Sequence, residues 1–321
     1  MSHSYQKELT IALSAVVAAA RVCRTVQQGL SADALEKKDK SPVTIADYAS
    51  QALICKQIRD AFPNDFIVGE EDAGELHLPE QRPFVEQILL QIQSVGQPAS
   101  AEELLSWIDS GNHNGTASRY WTLDPIDGTK GFLRKEQYAV SLALLIDHQI
   151  QVAVLACPNL SDGEQTGSVF YAVRGEGAFV LPLDDPNAEP RRVNVSSVTD
   201  PAQARLCESV ESGHTAHDQS SAIHQRLGLA AAPVRMDSQA KYAAVACGMA
   251  EIYWRLPTRP GYQEKIWDHA GGVLILEEAG GRVTDLDGRP LDFAQGSTLK
   301  ENRGVVVTNG HLHQQVLEAL R

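Results

Sequence analysis

The chain has 321 residues, with 41 acidic against 28 basic side chains and a formal net charge of −13. That balance works against a nucleic-acid polymer, whose binding depends on Lys/Arg surfaces that release counterions. A hydrophobic content of 43%, with 24 Gly and 15 Pro, fits a globular protein that needs no membrane and shows no case for disorder.

The length exceeds the usual size of one compact core, so two cooperating domains or one large layered domain are expected. Leu9, Leu13, Val16 and Ala20 recur at helical spacing and predict an amphipathic N-terminal helix. The apolar run Ile11 to Ala20 is roughly half the length of a membrane-spanning helix, and acidic Glu8 precedes it, against the pattern of a secretory signal. Cytoplasmic residence is the expectation. The five cysteines, Cys23, Cys55, Cys157, Cys207 and Cys247, are widely spread without C-x-x-C spacing and read as reduced core thiols rather than a zinc site.

Ser41-Pro42-Val43-Thr44 is expected to be extended, and Asp47 then falls near the start of a helical pattern from Ala46 to Ala61, where a carboxylate is favoured. Phe66-Ile67-Val68 predicts a short strand that stops at Gly69 and delivers Glu70, Glu71 and Asp72. Residues from about Pro79 to Ser118 are polar and mixed, with one possible helix at Ala101 to Trp107, and read as a peripheral excursion or lid.

Four β-rich runs follow, at Tyr138 to Ile146, Gln151 to Ala156, Ser168 to Val173 and Gly177 to Leu181, which predict an antiparallel meander. From about Ser196 the rhythm changes to alternating strand and helix, so a first α+β domain over 1–195 and a second α/β domain over 196–321 are expected. Gly280-Gly281 supplies a left-handed stop for a helix that begins near Asp268.

The stretch Trp121-Thr122-Leu123-Asp124-Pro125-Ile126-Asp127-Gly128-Thr129-Lys130-Gly131-Phe132 runs from an apolar strand into two aspartates three apart. Pro125 stiffens the turn, so both carboxylates can face one point, where a cation or a shared proton makes their repulsion tolerable. Hard oxygen ligands favour magnesium, and the backbone N–H groups around Gly128, Thr129 and Gly131 can cradle a phosphate beside it. Taken alone, the same residues also fit a tight turn with capping aspartates.

This stretch resembles the signature D-P-[IL]-D-G-[ST] of the inositol monophosphatase superfamily. Gly69-Glu70-Glu71-Asp72 is similar to the acidic block of that superfamily, and Ile266-Trp267-Asp268-His269-Ala270-Gly271-Gly272 is similar to its C-terminal block. The three blocks stand in the family's order over most of the chain. Further segments resemble the 3'(2'),5'-bisphosphate nucleotidase branch: Ser41 to Thr44 through Asp47-Tyr48, Gly128 to Phe132, Gly213-His214, Asp237-Ser238-Gln239-Ala240-Lys241-Tyr242, and Arg255-Leu256-Pro257 through Tyr262 to Asp268. Inositol monophosphatases usually carry Asn where Lys130 stands.

The resemblance implies a layered α/β/α/β/α sandwich, an antiparallel sheet domain joined to a smaller α/β domain, and two or three Mg2+ ions. It places Glu70, Asp124 and the Ile126 carbonyl on one ion and Asp124, Asp127 and Asp268 on a second. Asp47 and Thr129 become the base arrangement for an attacking water, while Gly128, Thr129, His214, Ser238, Lys241 and Arg255 go to the substrate. The implied reaction takes 3'-phosphoadenosine 5'-phosphate to AMP and phosphate, with 3'-phosphoadenosine 5'-phosphosulfate as a second substrate and lithium as an inhibitor. The implied partner is thus a small nucleotide, with no nucleic-acid polymer and no membrane. An inositol phosphate phosphatase and a non-catalytic nucleotide sensor stay open as alternatives. Lys241 and Arg255 count against the first, and the intact acids with Thr129 count against the second.

Overall fold

A computed structural model describes residues 5–30, 41–161, 166–211, 216–259 and 261–321. Chain order begins with two long helices, α1 (Gln6–Gln28) and α2 (Ser41–Ala61), followed by strand β1 (Phe66–Gly69) and the helices α3 (Arg82–Ser94) and α4 (Ala101–Asp109). Strand β2 (Arg119–Asp127) leads through a short helix α5 (Thr129–Leu133) into β3 (Ala139–Ile146), β4 (Gln149–Ser161), β5 (Thr166–Val173), β6 (Gly177–Pro182) and β7 (Arg191–Val193). The remainder is β8 (Leu206–Glu208), α6 (His217–Leu227), β9 (Val234–Arg235), α7 (Ala240–Ala246), β10 (Ile252–Arg255), α8 (Ala270–Glu278), β11 (Arg282–Thr284), β12 (Val305–Thr308) and α9 (His313–Ala319).

The first seven strands form one sheet in chain order, antiparallel throughout except that β1 lies parallel to β2. A second, five-stranded sheet runs β11-β12-β10-β8-β9 and mixes parallel with antiparallel pairs. Alternation along the strands sets the layers, since successive side chains point to opposite faces. Val140, Leu142 and Leu144 of β3 pack with Val16, Ala20, Ile54 and Ile58 of α1 and α2. Ala143 and Leu145 of the same strand turn to the other face and meet Val273, Leu274 and Leu276 of α8. In β10, Tyr253 joins that central layer, whereas Ile252 and Trp254 face outward onto Ile223 of α6 and Val316 of α9. The result is helix, sheet, helix, sheet, helix, the expected α/β/α/β/α sandwich.

Both faces of each sheet are covered, which is why strands such as Ala139–Ile146 are apolar almost throughout. Helix α8 lies between the sheets and is apolar all round for the same reason. Its glycines let it approach closely: a methyl on Gly271 would stand 2.3 Å from Ser141 Oγ, and one on Gly272 would stand 2.4 Å from the Tyr242 ring. Gly280, at φ +94°, ends the helix as expected. Helix α1 is long and apolar enough to cross a membrane, at 23 residues, but its apolar stripe is buried against α2 and β4.

Two expectations are corrected. Residues 41–44 are not extended but form the first turn of α2, where a proline costs no hydrogen bond because the first N–H groups of a helix have no intrahelical acceptor. Asp47 therefore sits in the second turn of α2 and is not a carboxylate at a helix start. Residues 79–118 are not a lid. Val85, Ile88 and Ile92 of α3, with Leu104 and Ile108 of α4, are buried against Ala49, Ala52 and Leu53 of α2 in a separate core. Their helical spacing was masked by the polar residues between them.

The close passage of α8 past Tyr242 gives a stability test. Gly272→Ala should lower the unfolding free energy by about 1 to 3 kcal/mol through overpacking, read from the urea midpoint; an unchanged midpoint would show that the ring moves aside freely.

Candidate active site

The acidic residues meet because of strand register. Gly69 pairs with Leu123 across the parallel β1–β2 ladder, so the residues that follow, Glu70 and Asp124, emerge side by side at the ends of the two strands. The β2–β3 register then breaks between Asp124 and Asp127, over Pro125, which has no N–H to give to a ladder. Ser50 of α2 donates to the Pro125 carbonyl at 3.0 Å and fixes the bulge from below. Gly128 turns the chain out of the strand at φ +90°, ψ 44°, a left-handed conformation that costs glycine little, and a Cβ there would press on Ser238 at 2.9 Å.

Gln51 holds the other acidic segment. Its amide nitrogen donates to the Glu71 carbonyl, and its Oε1 accepts from the Glu71 N–H at 3.1 Å. Gln239 performs the corresponding task for the second sheet. Its backbone N–H donates to Asp127 Oδ2 at 2.6 Å, its side-chain nitrogen donates to the Trp267 carbonyl at 2.9 Å, and its Oε1 accepts from the Gly272 N–H at 3.1 Å. One residue, through its backbone N–H and its side chain together, thus ties Asp127 to the segment that carries Asp268. Sequence reasoning gave Gln239 no role; its place between Ser238 and Lys241 was the available signal.

Glu70, Asp124, Ile126, Asp127, Gly128, Thr129, Ser238, Lys241, Arg255 and Asp268 line one cavity of about 380 Å³. Asp47 is buried close behind the acidic segment, near enough to Glu70 and Glu71 for their charges to act on it. His214 lies outside the described residues. Asp237, Ser209, Tyr253 and Tyr262 also line the cavity and had been given no role.

Two cations face the acids, Lys241 buried and Arg255 partly buried. The Lys241 ammonium donates to the carbonyls of Ser238 at 2.8 Å and Met236 at 3.3 Å and stands over the Tyr253 ring. Lys241 is 3% exposed, which excludes the solvated helix residue that its local sequence allows. Arg255 Nε meets Glu264 Oε2 at 3.0 Å, and its Nη2 meets Tyr262 Oη at 3.1 Å and Asp268 Oδ2 at 3.4 Å. Glu264 in turn contacts His269 Nε2 at 3.2 Å, and His269 Nδ1 contacts Tyr242 Oη at 2.8 Å. This buried chain orients Arg255 and, through it, Asp268.

Burial first, and charge repulsion after it, raises the proton affinity of the acids. Burial, reinforced by Asp268 and Glu71, pushes the Glu70 carboxyl up to about 8. Asp124 is driven well up by burial and then by Glu70, Asp127 and Asp268. Asp127 is raised by burial and by Asp268, against the pull of Lys241 and Arg255, and Asp268 is raised by burial against Arg255. Asp47 is raised by burial, then by Glu71 and Glu70. Asp124 Oδ1 is fully buried with no hydrogen-bond partner among the described residues. An unpaired carboxylate oxygen amid converging acids is the donor set of a hard divalent cation, so the residues present fit magnesium.

These features define a layered α/β protein with an acidic cavity whose lining fits a divalent cation. Residues 5–321 match the inositol monophosphatase family. A 3'(2'),5'-bisphosphate nucleotidase of Schizosaccharomyces pombe is 43% identical over 98% of this chain and 95% of its own length, and one of Emericella nidulans is 41% identical over 99% and 98%. The fold is shared with an inositol monophosphatase from Anabaena (Nostoc) sp. PCC 7120, at TM-score 0.64 and 24% identity over 98% of this chain and 95% of that one. It is also shared with one from Zymomonas mobilis, at TM-score 0.65 and 19% identity over 99% of each. The chain belongs to the inositol monophosphatase family, whose members are Mg-dependent phosphatases.

The raised acids predict a pH-dependent stability. Between the unfolded value of 4.5 and about 8, folded Glu70 holds more proton than the unfolded chain, so its contribution favours folding at low pH and is lost as pH rises through that window. Chelator-treated protein should lose melting temperature from about pH 6 to about pH 8.5, and Mg2+ should restore more at the higher pH. Differential scanning fluorimetry reads both, and equal Mg2+ shifts at the two values would contradict the repulsion described.

Proposed function

We propose that this protein is a magnesium-dependent 3'(2'),5'-bisphosphate nucleotidase that hydrolyses 3'-phosphoadenosine 5'-phosphate to AMP and phosphate, with 3'-phosphoadenosine 5'-phosphosulfate as a second substrate. The observation that carries this reading is one cavity lined by four acids, Glu70, Asp124, Asp127 and Asp268, and by two cations, the buried Lys241 and the partly buried Arg255. Relatives above 40% identity over nearly the whole chain bear the nucleotidase name, and both cations lie in the segments that resemble the nucleotidase branch. Residues 1–195 and 196–321 act in this reading as two lobes that share the cavity, the first giving Glu70, Asp124 and Asp127 and the second Asp268, Lys241 and Arg255, and the reaction is placed in the cytoplasm.

Glu70, Asp124 and the Ile126 carbonyl would hold one Mg2+ and Asp124, Asp127 and Asp268 a second, with Asp124 common to both. When bound, such ions supply Lewis acidity toward the phosphoryl oxygens and lower the pKa of water. The protein's own residues supply the proton path. The Thr129 hydroxyl orients the attacking water and takes a proton from it as it hands its own to Asp47. The oxygen of that water joins phosphorus, the bond to the 3' oxygen breaks, and the leaving oxygen takes a proton. Gly128 and Thr129 face the scissile phosphate, while His214, Ser238, Lys241 and Arg255 serve the rest of the nucleotide. Engagement of Lys241 and Arg255 with protein partners sets their positions before substrate arrives.

Phosphate release with Mg2+ from the adenosine bisphosphate, its phosphosulfate, inositol 1-phosphate and inositol 1,4-bisphosphate tests the reading; preference for an inositol phosphate overturns it. Asp124→Asn should cut turnover by at least about 100-fold, the scale of losing one preorganised transition-state contact, with the melting temperature kept within a few degrees. Near-parental turnover would remove Asp124 from the cation site. Lithium chloride should inhibit more strongly than potassium chloride at equal ionic strength, because Li+ approaches Mg2+ in size at half its charge. Superimposable inhibition curves would contradict a lithium-accessible site.

A further inference from the structure

Asp124 and Asp237 are the cavity-lining residues with a buried side-chain oxygen that has no hydrogen-bond partner among the described residues. Asp124 Oδ1 is explained by the cation site. Asp237 Oδ1 lies in the other lobe, outside the set of acids assigned to cations, and has no such explanation. Asp237 is 3% exposed, and burial of an unpaired carboxylate oxygen is costly unless a ligand completes it.

The surroundings hold this carboxylate in place from several sides. Its Oδ2 is paired with Arg134 Nη2, and Arg134 is itself held by Glu136 and Glu211, each at 2.6 Å. On the backbone, Lys241 clamps the carbonyls on either side of Asp237, those of Met236 and Ser238. The next residue, Ser238, is kept at φ +69°, a strained conformation for a non-glycine residue of the kind that persists where the surroundings over-determine it. Burial pushes the Asp237 carboxyl up from its ordinary value, against the pull of Lys241 and Arg134; as the carboxylate paired with Arg134, its Oδ1 can only accept a hydrogen bond.

We propose that Asp237 is a specificity-determining residue whose Oδ1 accepts a hydrogen bond from a neutral donor on the nucleoside part of the substrate. This rests on the nucleotide reading of the site. A negative acceptor repels both phosphates, which leaves the N–H and O–H groups of the base and the sugar. Two sources offer that chemistry, the exocyclic amine of adenine and the ribose 2'-hydroxyl.

The test measures kcat/KM for the 3',5'-bisphosphates of adenosine, inosine and 2'-deoxyadenosine in the parent, Asp237→Ala and Asp237→Asn. The parent should discriminate against one analogue by about tenfold or more, the scale of a hydrogen bond to a charged group: against inosine if the amine is bound, against the deoxynucleotide if the hydroxyl is bound. Asp237→Ala should bring that ratio close to one, mainly through KM. Asp237→Asn carries a sharper expectation. Arg134 offers only donors, so the new amide turns its oxygen to Arg134 and its NH2 to the substrate. If the amine is the partner, preference should then invert toward inosine, whose 6-oxo group accepts. If the hydroxyl is the partner, the ratio should fall without inverting, because a hydroxyl also accepts from the amide but the bond no longer involves a charge. A parent that uses all three nucleotides equally, or folded variants that keep the parental ratios, would reduce Asp237 to an anchor for Arg134 and overturn the proposal alone. A parent that hydrolyses none of the three overturns the nucleotide reading and this assignment with it.

Discussion

The interaction on which the structure turns is the repulsion among Glu70, Asp124, Asp127 and Asp268. Four carboxylates drawn from three stretches of chain line one cavity, with Asp124 buried, and the proton affinity of each is raised there. Nothing in such a cluster favours its own formation. It exists because the scaffold imposes it, through the β1–β2 register, the bulge at Pro125 and the rigid placement of α8 between two sheets. Repulsion stored in this way becomes affinity for a hard cation, since the ion removes a cost the fold has already met.

The two cations follow from the same constraint. Lys241 and Arg255 lower the proton affinity of Asp127, and Arg255 does the same at Asp268. Each is fixed by protein groups, Lys241 by the carbonyls of Met236 and Ser238 and Arg255 by Glu264, Tyr262 and Asp268. A chain with a net charge of −13 thereby presents a mixed site in which cations held by the acids, together with Lys241 and Arg255, can receive a polyanion. Gln239 and Glu264 are the mechanical links: one joins Asp127 to the start of α8, the other joins Arg255 to His269 and Tyr242.

Much of this was legible in the sequence where local chemistry decides the outcome. The meander of β3 to β6 follows from runs such as Ala139–Ile146 bounded by turn residues, and Gly280 closes α8 as a left-handed stop. The acidic triplet after Phe66-Ile67-Val68 and the Asp124-Pro125-Ile126-Asp127 turn were visible as chemistry before any fold was known. Long-range contacts were not. Helix α3 was hidden because Val85, Ile88 and Ile92 are diluted by Glu and Gln, and only α2 gives that stripe a partner. Pro42 pointed to extended backbone where the helix start tolerates it. The partners of Lys241 and Arg255 lie at positions that spacing alone does not relate, and the unpaired oxygen of Asp237 emerges only when both lobes are in place.

The central claim is that these carboxylates are held together under repulsion which a divalent cation relieves. It is tested most directly by titrating Mg2+ into the chelator-treated protein near neutral pH, with calorimetry in two buffers of different ionisation enthalpy. Glu70, with its carboxyl near 8 in the cation-free state, must give up its proton as the ion binds. The apparent binding enthalpy should therefore depend on the buffer, corresponding to a net release of protons that shrinks as pH is raised above that value. Binding with the same enthalpy in both buffers would show that the acids are already ionised without a cation, and would contradict the account.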